Sequence, residues 1–455
     1  MSEIEPLAVS PDKILRKPEN FPCPSRRFGG RRVVSMGGKC ACNELERSFT
    51  VSTSAPQSRK IVVTGASGFI GEQLVPRLRD AGCEMLLVGR DSAALQSRFP
   101  SLACCTYDEL PARAQGFGTL VHLAVLNNNA EASPEEFDRV NVGLLSEVLL
   151  QARAANIGRF VNVTTFHAIS ENGTPYAQSK RKALDIVNAS SGIAVTNLFL
   201  PAVFGDAYAG RLSLISRLPG FLRGTALTFV MAMAPTVHVD RIASFLASDN
   251  KGPDRDVFLA NPQEENIVFR LGKGIIDLLF VVGILGLFWW LLLIVWAMIP
   301  FDSPGRGIFA QPRIGEDGKP FTVYKFRTMK SGTRQAGTHE MTAASVTRMG
   351  AFLRMTKLDE LSQVFNVVRG DLSLVGPRPC LPVQTQLIKE REKRNVFSVR
   401  PGITGLAQIN SVDMSDPVKL ARWDARYIAQ RSLPSEFKIA FVTFLGRGHG
   451  DKVAS

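Results

Sequence analysis

Nothing in this 455-residue sequence reads as a secretory signal pattern, a disulfide framework or a zinc knuckle, and each of these readings narrows what is expected of it. Its opening residues, MSEIEPLAVSPDK, contain no basic start followed by an apolar run, so no secretory signal is expected. The cysteines, at positions 23, 40, 42, 83, 104, 105 and 380, show no paired spacing. Cys40 and Cys42 enclose one alanine, too short a gap for a metal knuckle, and reduced thiols of a cytoplasmic protein are expected. Zinc-finger and aromatic-interleaved basic motifs are missing too, so nucleic acid is not the expected partner. The net charge of +13, most of it after Pro262, then points to phosphorylated small molecules or an acidic membrane surface. Charge itself is absent from Leu278 to Pro300, and that stretch has no proline before Pro300.

The length accommodates two or three domains, each with its own core. Residues 1–58 are rich in Ser, Pro, Gly and Arg without apolar periodicity and are expected to be a disordered tail, Arg26, Arg27, Arg31 and Arg32 included. From Lys60, short apolar runs (IVVTG, EMLLVG, LVHLAV, RFVNVTT, VTNLFLP) alternate with amphipathic stretches. That alternation predicts a parallel sheet with helices on both faces, closing near Pro262, so a first domain is expected over 59–262. The part from 263 to 455 forms a second, membrane-anchored domain, with a membrane helix over 274–300 long enough for the hydrocarbon core of a bilayer. Both domains need cytoplasmic nucleotides, so the helix is expected to re-enter rather than span. The bend is expected at Gly283 and Gly286 or by Trp289.

Gly65, Gly68 and Gly71 lie between a predicted strand and a helix start. Glycine is required where backbone approaches a pyrophosphate resting on the first helical amides. Arg90, at the end of the second strand, suits the 2′-phosphate of NADP(H), while Asp91 beside it keeps NAD(H) open. Tyr176 and Lys180 share a helix face, a proton-transfer pair in which the ammonium and the positive nicotinamide ring are expected together to favour the phenolate. Thr165, ending RFVNVTT, can orient a substrate oxygen.

The order of glycines, VHLA, Asn141 in RVNVGLL, VTT and the Tyr–Lys pair resembles the extended short-chain dehydrogenase/reductases, the NAD-dependent epimerase/dehydratase family. The resemblance covers residues 60 to about 262 and implies Thr165, Tyr176 and Lys180 as the catalytic set, acting on a nucleotide-sugar. The FHAIS segment after VTT departs from the family pattern.

The succession KFRTM, KLDELSQVFNVVRGDLSLVGPRP and RPGITGLAQIN closely resembles the bacterial sugar transferases, the monotopic polyprenyl-phosphate phosphoglycosyl transferases. The resemblance implies that Asp359 and Glu360 carry the reaction. Asp359 would be the nucleophile that takes a phosphosugar from a UDP-sugar, and Glu360 a partner in holding Mg2+. Lys325, Arg327, Arg354 and Arg378 are candidate phosphate clamps. Trp289 and Trp290 stand where the family usually breaks its re-entrant helix at Ser-Pro.

The expected architecture is therefore a Rossmann-type doubly wound α/β domain, a re-entrant membrane helix and a small, mostly α catalytic domain. The expected function is bifunctional, in bacterial surface-polysaccharide assembly at the inner membrane, with both sites facing the cytoplasm. Its partners are a UDP-sugar, polyprenyl phosphate and membrane lipid, and the oligomeric state, a homodimer included, stays open. Two alternatives remain: a transferase whose NAD(P) domain only regulates, and a membrane scaffold without turnover.

Overall fold

The computed structural model of the chain describes residues 59–127, 130–169, 173–248, 252, 254–330, 332 and 345–446. The expected tail, with its arginines and Cys23, Cys40 and Cys42, lies outside the described residues.

Seven strands form the first sheet: β1 (Lys60–Thr64), β2 (Glu84–Val88), β3 (Ala103–Cys105), β4 (Thr119–His122), β5 (Arg159–Thr165), β6 (Ala194–Leu200) and, beyond the short pair β7 (Ala202–Phe204) and β8 (Thr236–His238), β9 (Asp256–Phe258). All pair in parallel in the order β3-β2-β1-β4-β5-β6-β9. Both faces of such a sheet are covered, so its strands must be apolar on both sides. In β1, Ile61 and Val63 join one buried cluster with Leu74, Leu78 and Ile242, while Val62 joins the other with Leu120, Val148 and Phe160. The order reverses between β1 and β4, the crevice at which open α/β sheets bind ligands. Three-residue β3 and β9 are too short to register as periodic apolar runs.

The apolar segment is two helices rather than one. Asn266 starts the first, Ile267–Val282, by accepting the amides of Val268 (3.0 Å) and Phe269 (3.1 Å). A wider π turn, Gly283–Leu287, follows, Phe288 leaves helical geometry (φ −116°, ψ 12°), and Trp289–Asp302 departs at 66°. The bend thus falls between Gly286 and Trp289, just past the two glycines of the uncharged run. Neither arm is by itself long and apolar enough to cross a membrane, and the helical stretch extends beyond the expected 274–300 at both ends.

A buried polar cluster roots the first arm. Lys273 Nζ contacts Glu436 (2.7 Å) and the carbonyl of Val375 (3.0 Å), and Tyr427 donates to the same Glu436 (2.6 Å). Asp277 accepts from Ser373 Oγ and the Leu374 amide, both at 3.0 Å. The second arm packs Leu292, Val295 and Ile299 against Phe326, Leu353 and Val364. The rest of this region is mainly helical, with the hairpin β10 (Ile308–Ile314) and β11 (Pro320–Phe326) and the pair β12 (Ser373–Val375) and β13 (Gly402–Thr404). Asp254, just before β9, accepts two bonds from Arg394 (2.6 and 2.7 Å) and one from Arg422 (2.8 Å), tying the sheet domain to the helical one.

Candidate active sites

In the sheet domain the sequence-selected residues gather at the carboxyl ends of the strands. Gly65, directly after β1, has φ +74°, and a Cβ there would lie 2.5 Å from the amide nitrogen of Ala124. A Cβ on Gly71 would lie 2.5 Å from the carbonyl oxygens of both Gly65 and Ala66. Only hydrogen fits at either place, and Gly68 begins the helix Phe69–Asp80, whose first amides face the turn. This is a cradle of the size and polarity that a dinucleotide pyrophosphate needs. Arg90 is exposed after β2, whereas Asp91 caps the next helix by accepting the Ala94 amide (2.9 Å), so one of its oxygens is already engaged.

Thr174 caps the helix Pro175–Ala189 and Pro175 opens it, which sets Tyr176 in the first turn and Lys180 one turn deeper. Asn141 fixes the neighbouring loop, exchanging bonds with Leu126 N (2.8 Å) and Leu126 O (3.1 Å) and donating to Ser179 Oγ (3.0 Å). Its own segment, Arg139–Leu144, is a π turn, a geometry that recurs at functional sites. Thr165 ends β5 and accepts the His167 amide at 3.4 Å.

Burial pushes the Tyr176 phenol up to about 12, with its ring edge-on to Phe137, and burial pulls Lys180 down to about 8. The ammonium donates to the Val163 carbonyl (3.3 Å) and does not offset the burial of the phenol. Without the charge of a bound nicotinamide, Tyr176 is a neutral phenol, not a phenolate.

The acid pair sits on a strained turn. Helix Arg348–Thr356 stops at Lys357, whose φ of 57° is left-handed, a conformation costing a non-glycine residue about 1 kcal/mol or more. The chain re-enters as the 3₁₀ turn Leu358–Gln363, which carries Asp359 and Glu360. Its apolar residues Leu358 and Leu361 pack with the two bent apolar helices, so the acids stand beside the apolar hairpin.

The two carboxylates have opposite surroundings. Glu360 Oε1 accepts from Lys325 Nζ (3.1 Å) and Arg378 (2.9 Å). Burial acts to raise this acid, but Arg378 and Lys325 outweigh it and hold it at about 2. Asp359 is pushed up to about 6, by burial first and the charge of Glu360 second, against Lys325, Arg354 and Arg378. Burial also pushes the Lys325 ammonium down, with Glu360 opposing. Adjacent in sequence, the two acids thus shift in opposite directions, Glu360 held ionised and Asp359 pushed toward its protonated form, the pattern by which one site separates acid–base roles.

Residues not singled out from sequence hold this arrangement. Asn366 and Ser362 clamp Tyr324 on β11: Asn366 Oδ1 accepts the Tyr324 amide (3.0 Å), and Ser362 Oγ donates to its carbonyl (3.1 Å). That fixes Lys325, the next residue. Arg391, buried with Asp424 (2.8 Å), donates to the Arg378 carbonyl (2.8 Å), and Arg313 donates to Pro379 O (2.9 Å). Only the four-residue spacing of Ser362 and Asn366 in LSQVFN could have signalled any of these; the others reach in from distant segments.

The four expected phosphate clamps divide. Lys325, Arg354 and Arg378 all act electrostatically on Asp359, and Arg354 also donates to Thr328 Oγ1 (2.9 Å). Arg327, just past the end of β11, instead donates to the carbonyls of Ser303 and Pro304, bracing the exit of the second arm. Among the described residues no three His, Cys, Asp or Glu side chains form a metal-sized group. Two adjacent carboxylates are nonetheless the donor number that Mg2+ takes when phosphate oxygens complete its shell.

Residues 268–447 match the family described as bacterial sugar transferase, and residues 61–223 match the NAD dependent epimerase/dehydratase family. The Caulobacter vibrioides UDP-glucose:undecaprenyl-phosphate glucose-1-phosphate transferase is 38% identical over 188 residues, 39% of this chain and 70% of that protein. The Escherichia coli K12 protein of the same description is 40% identical over 167 residues, 34% of this chain and 35% of that one. Among solved structures, the Bordetella bronchiseptica enzyme WbmG in complex with NAD aligns at 16% identity, over 46% of this chain and 74% of that chain, with a TM-score of 0.36. The chain spans between 31% and 51% of the length of the first curated relatives it matches.

Proposed function

We propose, for a chain that belongs to the bacterial sugar transferase family and carries an NAD dependent epimerase/dehydratase domain ahead of it, a bifunctional enzyme of surface-polysaccharide assembly. The first domain modifies a UDP-sugar, and the second moves its phosphosugar to undecaprenyl phosphate at the inner membrane, on the cytoplasmic side.

The observation that carries the transferase reading is the unequal acid pair. Glu360 is pinned between Lys325 and Arg378, whereas Asp359 is raised to about 6 and so is ionised at neutral pH yet more basic than an ordinary carboxylate. Asp359 forms an oxygen–phosphorus bond to the sugar-bearing phosphate as the bridging bond to UMP breaks. An oxygen of the lipid phosphate then attacks the same phosphorus and releases the carboxylate. Lys325, Arg354 and Arg378 neutralise the phosphoryl oxygens in both steps. A Mg2+ ion held by Asp359 and Glu360 would supply further charge neutralisation.

In the first domain Gly65, Gly68 and Gly71 would hold the pyrophosphate of NAD(P), with Arg90 toward a 2′-phosphate. The cofactor supplies the hydride chemistry. Tyr176 is set to give its proton to a sugar oxygen oriented by Thr165, the direction that reduction of a ketone requires, and Lys180 holds the neighbouring Val163 carbonyl. A second reading, a sensor domain without turnover, is favoured by the height of the Tyr176 phenol and the engagement of Lys180 with Val163.

The deciding experiment incubates membranes containing the full chain with UDP-sugars, labelled undecaprenyl phosphate and NADPH or NADH. Labelled lipid-linked sugar with UMP release supports the transferase, and its absence with every UDP-sugar overturns it. Cofactor turnover separates the bifunctional reading from the sensor.

A further inference from the structure

We propose that the NAD(P) domain itself docks on the lipid bilayer, through the helix Gly220–Met233. The inference rests on the membrane seat of the transferase proposed above and extends it to a domain that the reading so far leaves in solution.

From Asp206 to Asp240 the chain contains no acid, but it carries Arg211, Arg217 and Arg223, all exposed. After Arg223 no charged residue occurs until Asp240. The helix in this stretch keeps Leu227, Val230 and Met231 against Phe204, Leu212 and Ile215, which satisfies its inner face. Its outer face is also apolar: Phe221 is 83% exposed and Phe229 55%, with Leu222 and Met233 beside them. Leu222, Phe229 and Met233, spaced i, i+7 and i+11, form one stripe. A soluble domain has no need of such a row, and apolar side chains rimmed by arginines are the composition of a helix lying in a lipid interface.

The helix that carries this stripe packs against the transferase domain. The helix lies beside Ile267–Val282 and Leu433–Phe444. Asn266 Nδ2 donates to Thr228 O (2.9 Å), and Gln263 Nε2 bridges Met231 O (2.7 Å) and Arg431 O (3.2 Å). The first neighbour exposes Leu271, Ile275, Leu278 and Val282 along one face, and the second exposes Phe437, Phe441 and Phe444. Three adjacent helices from both domains thus present unpartnered apolar rows. The arginines select anionic headgroups over neutral ones. Docking of both domains on one surface also places both sites on the same side of the membrane, as a re-entrant hairpin requires.

The test uses the full chain with Cys23, Cys40, Cys42 and Cys104 replaced by serine. Nitroxide labels are attached singly at Leu222→Cys, Phe229→Cys and, for reference, Trp289→Cys. Oxygen and nickel-chelate accessibility are read with and without vesicles of phosphatidylethanolamine and phosphatidylglycerol. The expected result is a several-fold rise in the oxygen-to-nickel ratio at all three positions on adding vesicles. A rise at Trp289→Cys alone overturns the docking and leaves the transferase seat standing. No rise anywhere overturns both. Spin–spin broadening at positions 222 and 229 without vesicles would identify a second copy of the chain as the occupant and overturn the lipid assignment. As a second arm, Leu222→Glu should remove the rise at Phe229→Cys while the rise at Trp289→Cys remains and NADPH binding in detergent is unchanged. An unaltered rise at Phe229→Cys counts against the proposal.

Discussion

The acid pair at 359–360 and the tyrosine–lysine pair at 176–180 are tuned by opposite means. Around Glu360 charges decide, two cations converging on the carboxylate and overcoming its burial, while Asp359 beside it is raised by burial first and by the charge of Glu360 second. Around Tyr176 and Lys180, burial decides: both groups shift toward their neutral forms, and neither corrects the other. The first site therefore has a reactive ionisation state in the protein alone. In the second, the neutral phenol is the form that can give a proton in a reduction, and only the oxidising direction would call on the charge of a bound nicotinamide.

The largest expected break of this comparison is Asp359→Asn. An amide cannot serve as the nucleophile, so transfer to lipid phosphate should fall about a thousandfold or more, with NAD(P)H binding unchanged. Product assays beside cofactor titration check this, and normal transfer would move the nucleophile elsewhere.

Tyr176→Phe should reduce the redox step about a hundredfold or more while transfer of a ready-made sugar continues, since the two pairs occupy separate domains. Loss of both activities from this one change would mean that the sites are coupled, and unchanged cofactor turnover would favour the sensor reading.

Ionisation supplies the next test. Asp359 must be a carboxylate to attack, so the transfer rate should fall as pH drops through about 6, a full unit or more above the range of an ordinary aspartate. The same raised value means that the fold favours the protonated acid, so this group's contribution to stability is present below pH 4 and is lost between about 4 and 6 as pH rises. Glu360→Gln removes the neighbouring charge and frees Lys325 and Arg378 toward Asp359, so the acidic limb should move to lower pH. An unmoved limb would show that burial alone sets it.

The smallest effect concerns Arg90→Ala, which should weaken NADPH by about tenfold and NADH little, measured by fluorescence titration. Equal losses would mean that Arg90 does not read the 2′-phosphate.

Local pattern carried most of the fold. The five apolar runs became β1, β2, β4, β5 and β6, and the glycines stand at the turn after β1, because strand burial and the turn depend on residues within a few positions. The bend of the apolar hairpin was legible for the same reason, in Gly283, Gly286 and the tryptophans that follow.

The sequence by itself determined which side chains are available: an adjacent acid pair, a Tyr–Lys pair, a set of cations and an uncharged hairpin. It assigned Asp359 and Glu360 their roles by family resemblance but did not say which of them would be held ionised, and it did not distinguish Arg327 from Arg378. Those choices belong to tertiary structure, since Lys325 reaches Glu360 across 35 residues and Arg378 across 18, while Arg327 is drawn to the carbonyls that end the second arm. Ionisation depends on the distance to charge and on the loss of water, and neither exists until the β10–β11 hairpin, the 3₁₀ turn and the Arg378 segment have packed against one another.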